Sequence, residues 1–150
     1  MPHRFLFTAG ALLAIAVVVN LRAQPSAHSQ GHHPHGFQGY WMGIDPVDGG
    51  DARRSLVQLE NGRFSLAARD SFFSLCDGTD RGFGSFDDGV VSRHNVLESN
   101  NLTLQCFDNG AVVVLRTRFE LIGDGIMAET ATLQDGTPVS TIIFHRVSSR

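Results

Sequence analysis

The feature that most constrains this chain is the spacing of its turn signals. Six Asn-Gly or Asp-Gly dipeptides follow residue 60: Asn61-Gly62, Asp77-Gly78, Asp88-Gly89, Asn109-Gly110, Asp124-Gly125 and Asp135-Gly136. Such pairs suit type I′ hairpin turns, whose two central residues both need positive φ. Around them lie short runs rich in β-branched and aromatic residues, at 39–45, 55–60, 63–68, 72–76, 83–86, 90–97, 102–107, 111–122, 126–133 and 139–147. Many short strands without a helical period indicate a sandwich or barrel, and successive hairpins favour a meander. The expected fold is all-β, an antiparallel up-and-down meander closed into a barrel of 8–10 strands. Arg69-Asp70 either bends one strand or divides two, which leaves the number open. A short helix or 3₁₀ turn is expected within 45–54.

The period of two is clearest near the middle. Val113, Leu115, Thr117, Phe119 and Leu121 alternate with Val112, Val114, Arg116, Arg118 and Glu120. The first set is mostly apolar and the second ends in charges, as a half-buried strand requires. Leu102, Leu104 and Cys106 share a face by the same count, which sets Cys106 in or near the core.

The first residues read differently. Arg4 gives a basic start, 5–19 is almost unbroken apolar sequence, and Ala23 precedes Gln24. That is the order of a secretory signal, so 1–23 is expected to be removed and the product exported, periplasmic or extracellular. The competing reading, an uncleaved anchor, wants about 20 apolar residues, more than this run holds. Residues 24–36 are Ser, Gly, Pro, Gln and His with one Ala, too polar to bury a core, and form a His-rich leader expected to be disordered. The domain is expected over 37–150.

The full chain has 12 basic and 15 acidic residues, and every basic one is Arg. Without Arg4 and Arg22 the balance is 10 against 15, about −5. An acidic chain with no basic run lacks the electrostatic footprint of a nucleic-acid binder. No stable membrane insertion is expected after cleavage, and the oligomeric state is open. Cys76 and Cys106 are the two cysteines, and export favours a bond between them. Two inert buried thiols, or one reactive cysteine, are the alternatives. Neither residue sits in a C-x-x-C motif that would lower its pKa.

Gly39-Tyr40-Trp41 opens the first strand and Phe144-His145-Arg146 stands at the end of the last. In these features the chain resembles the calycin barrels, the lipocalin-like and avidin-like group, over about 110 residues from 37 to 147. The resemblance implies that Trp41 closes the barrel floor and Arg146 packs across it. A guanidinium can stack on indole and bond carbonyls at the barrel base. The lipocalin T-D-Y signature and the helix before the last strand are missing. Trp41 as an ordinary core aromatic is the competing reading.

Several polar groups invite chemistry. His28, His32, His33 and His35 crowd the leader and are weak candidate metal ligands, since imidazole suits Zn, Cu and Ni. Nothing fixes them as a structural site requires, so no metal is assigned. Asp45, Asp48 and Asp51 surround a Gly pair but lack EF-hand spacing, and read as a solvated turn; Asp77 and Asp80 read alike. Arg116 and Arg118 face solvent in this register. A shift of one residue would turn them inward, where they could clamp a carboxylate. Glu129 shares a face with Met127, Ala131 and Leu133, which would bury its carboxyl, yet it and His94 read better as outer-surface groups. Asn101-Leu102-Thr103 fits a glycosylation acceptor, with no sugar expected. No catalytic or cofactor fingerprint is present, so no catalytic residue and no cofactor are expected.

Three functions compete. A closed barrel of this size either fills its centre with side chains or holds one small ligand. The first function is binding a small apolar ligand against Trp41, Phe64, Leu66, Phe73 and Leu75 on the early strands. Val113, Leu115, Phe119, Ile142 and Phe144 would complete the lining. The second is a solid barrel with a structural or protein-interaction role. The third is a barrel enzyme of isomerase or cyclase type, for which only Glu129, Arg116 and Arg118 offer themselves.

Overall fold

A computed structural model describes residues 36–71, 74–76 and 82–148. Its strands are β1 (Gly39–Ile44), β2 (Asp51–Gln58), β3 (Phe64–Asp70), β4 (Gly82–Arg93), β5 (Val96–Cys106), β6 (Val112–Gly123), β7 (Ile126–Leu133) and β8 (Pro138–Ser148). A 3₁₀ turn, Ser74–Cys76, lies in the β3–β4 connection. Each strand pairs antiparallel with the next, and β1 closes on β8 through Trp41↔Arg146, Met42↔His145 and Gly43↔Phe144. The result is an all-β, eight-stranded closed up-and-down barrel, lipocalin-like in general architecture. Among the described residues no helix is long and apolar enough to cross a membrane.

The Asn-Gly turns behave as the sequence requires, with Gly62 at φ 78° and Gly110 at φ 68°. Elsewhere the expected boundaries need correction. Asp88-Gly89 makes no turn: β4 runs through it, and the chain reverses at His94-Asn95. Gly89 is there because of close packing. A Cβ would come within 2.6 Å of the Phe86 ring and 3.1 Å of the Phe64 carbonyl. The Asp88 carboxylate instead accepts bonds from Ser99 Oγ (2.5 Å) and Asn101 Nδ2 (2.6 Å), pinning the register shift in β5. The strand expected at 72–76 is replaced, where described, by the 3₁₀ turn. No helix forms in 45–54; a turn leads directly into β2. The leader histidines, the signal-like segment, Phe73, Asp77 and Asp80 lie outside the described residues.

The barrel has two unlike ends. At one, Phe37, Trp41, Phe64, Phe119 and Phe144 are buried and packed together, with Phe37 edge-on to Phe64 at 6.1 Å. Trp41 Nε1 donates to the Phe37 carbonyl at 2.9 Å, so its one polar atom is satisfied. The Arg146 guanidinium lies 4.4 Å from the Trp41 ring centre and donates to the carbonyls of Gly36 and Gln38. We call this the closed end. The other end, the mouth, carries Cys76, Leu104 and Cys106 as a second small cluster. There the Cys76–Cys106 disulfide, Cα atoms 5.6 Å apart, ties the 3₁₀ turn to the end of β5.

Candidate functional site

The interior between the aromatic plug and the mouth holds the one strongly charged cluster inside the described barrel, with Arg54 opposite Trp41 and Glu129 opposite Phe119. On β2 the inward positions are Ala52, Arg54 and Leu56, and on β3 they are Phe64, Leu66, Ala68 and Asp70. Strand alternation therefore carries Arg54 and Asp70 inward along with their apolar neighbours. On β7 the same period buries Glu129 between Met127 and Ala131. The expectation that Glu129 lies on an outer surface is overturned: it is 2% exposed. His94 is exposed, in the β4–β5 turn.

The three groups form a closed network. Arg54 Nη1 and Nη2 donate to the two Asp70 oxygens at 2.5 and 3.0 Å, a bidentate fork. Arg54 Nε donates to Glu129 Oε2 at 2.7 Å, and Nη1 also donates to the Arg53 carbonyl at 2.9 Å. Thr117 Oγ1 donates to the other Glu129 oxygen at 3.2 Å. The guanidinium sits 4.9 Å from the centre of the Phe144 ring. Burial works against the Arg54 charge, but Glu129 and Asp70 outweigh it and hold the guanidinium more firmly protonated. Burial pushes the Glu129 carboxyl up from its ordinary value, only partly opposed by Arg54. Asp45, 7% exposed at the rim, is raised by burial too.

The network borders a cavity of about 30 Å³ whose apolar wall includes Leu75, Leu102, Leu115, Ala131 and Ile142. That is room for a water or two. Of the residues proposed to line a ligand cavity, Leu75, Leu115 and Ile142 border it. Trp41, Phe64, Leu66, Phe119 and Phe144 are buried in the core, and Val113 packs against it, half-buried. Arg116 is exposed and Arg118 half-exposed, bonded to Glu120 at 2.7 Å. No group of three or more metal-ligating side chains converges among the described residues.

Arg54 and Asp70 escaped the sequence reading. The doublet Arg53-Arg54 looks like a polar stretch, and the expected strand began only at residue 55. The signal was present: Ala52, Arg54 and Leu56 alternate with Arg53, Ser55 and Val57.

Fold and site together define a closed eight-stranded barrel with an aromatic plug at one end and a buried ion network packed against it on the side of the mouth. No protein-family model, curated protein or solved structure matches the chain.

Proposed function

We propose that the domain is an exported, solid-cored barrel of calycin type that works from its surface, as a scaffold or interaction module. The observation carrying this reading is the interior volume. About 30 Å³ beside Arg54 compares with roughly 300–1,000 Å³ for small-molecule pockets. The Trp41–Arg146 stack supports the calycin reading. The disulfide and the signal-like start support export.

A second reading, a small apolar ligand held inside, is favoured by one feature, the apolar wall of the cavity at the mouth. An entering carboxylate would find Arg54 already neutralised by Asp70 and Glu129, so a neutral ligand suits this reading better. Titrating the protein with the apolar fluorophore N-phenyl-1-naphthylamine separates the two. The solid barrel gives no saturable enhancement. One-to-one saturation that Leu115→Phe abolishes, with the fold intact by circular dichroism, would replace the first reading by the second.

A further inference from the structure

Arg53 and Arg69 stand directly opposite each other on β2 and β3. Their sequence neighbours Ala52, Arg54, Ala68 and Asp70 are buried, so both arginines point outward. Like charges at directly opposed positions repel, because their Cβ atoms lie about 4.5–5.5 Å apart. Little offsets this here. Arg53 has a loose ion pair with Asp51, 3.5 Å apart with both side chains 48% exposed, and such surface pairs contribute little. Among the described residues Arg69 has no hydrogen bond or ion pair.

The two guanidiniums border a pair of adjoining surface hollows. One, about 330 Å³, runs toward the mouth past Ser71 and Phe107. The other, about 260 Å³, is floored by Ser55 and Ala67 and ends at Tyr40. Small floor residues let a ligand approach the sheet, and the Tyr40 ring supplies a flat apolar wall.

We propose that Arg53 and Arg69 form a surface binding site for one phosphate-type oxyanion, free or as the acid group of a sugar-sized ester lying toward Tyr40. Two planar forks on adjacent strands suit a tetrahedral oxyanion, which accepts bidentate bonds and removes the repulsion between them. A polyanion is the wrong partner. Nucleic acid presents a charge about every 1.7 Å, and Asp51 and Asp70, which border the mouth-side hollow, would oppose its neighbouring charges. The site gives a ligand class to the surface-acting barrel and rests on that reading, which the fluorophore titration tests separately.

Calorimetry at low salt with inorganic phosphate, glucose 6-phosphate and glucose tests the site. Both phosphates should bind, and glucose should not. Arg69→Gln and Arg53→Gln should each weaken binding about tenfold or more, the loss of a charge-assisted contact. Tyr40→Ala distinguishes the sources. If the ester is the ligand, Tyr40→Ala removes its advantage over phosphate; if the free ion is, the two bind alike in both proteins. Without added anion, Arg69→Gln should also raise the melting temperature at low salt by relieving the repulsion. Absence of phosphate binding, equal binding by Arg69→Gln, or a lower melting temperature for that variant would each overturn the proposal.

Discussion

Arg54 shows how a single residue can set the acid–base behaviour of this core. A buried charge is tolerated only when paired and hydrogen-bonded, and four of its five N–H donors are accounted for by Asp70, Glu129 and the Arg53 carbonyl. Replacing it with methionine would strand two carboxylates in the interior. We expect Arg54→Met to lower stability by about 3–5 kcal/mol at pH 7, the usual result of breaking a buried pair from one side. The effect should depend on pH. Burial holds the Glu129 carboxyl above its ordinary value in the folded protein. The native state therefore holds a proton that the unfolded chain has lost, and stability declines as pH rises through that window. Without the Arg54 charge the folded value rises further and the window widens, so the deficit should shrink toward acid pH. Urea denaturation at pH 7 and pH 5 measures it; an equal deficit at both would show that the lost interaction is packing and not charge.

At the scale of strands, the closure between β1 and β8 depends on a glycine. A Cβ at Gly43 would collide with the Ile143 carbonyl and press on Ile142 (3.1 Å) and the Phe144 ring (3.2 Å). The carbonyl belongs to the backbone and cannot swing away as a side chain can. Gly43→Ala should cost about 1–3 kcal/mol, the range for forced overpacking, read as a lower urea midpoint with an unchanged slope. What was legible in the sequence divides on similar lines. Glycines with positive φ, as at Gly62 and Gly110, announce turns because the requirement is local. Gly43 and Gly89 are set by the approach of distant backbone or rings, which no local pattern reveals. Turn spacing and alternation therefore indicated the all-β meander, while the β4–β5 reversal at His94-Asn95 had no glycine to mark it. The charged network was half legible. Glu129 sits on a recognisably apolar face, but polar type argues for outside, and only closure of the barrel brings it across the interior to Arg54 on β2.

For the molecule as a whole, the order of strands around the barrel equals their order in the chain, so only one strand pairing joins elements that are not consecutive in sequence. That pairing is β1–β8, where Tyr40 pairs with Ser148 and Arg146 reaches back to the Gly36 and Gln38 carbonyls. The two extremities of the domain thus meet at the closed end. The β2–β3 turn at Asn61-Gly62 also opens there, and both residues are exposed. Exposed turns of this kind are where chains tolerate new ends. A circular permutant that joins residue 148 to residue 37 by a short Gly-Ser linker and begins at Gly62 should fold to the same barrel. It exchanges a hairpin contact for a covalent seam, which makes β1–β8 local and β2–β3 distant. Loop-closure entropy grows slowly with length, by about 0.6 kcal/mol per doubling, so the permutant should lie within about 2 kcal/mol of the parent. Strand-type circular dichroism and one cooperative urea transition would check this. A permutant that stays unfolded would mean that the hairpin at Asn61-Gly62 is required to form the barrel and not merely to connect it.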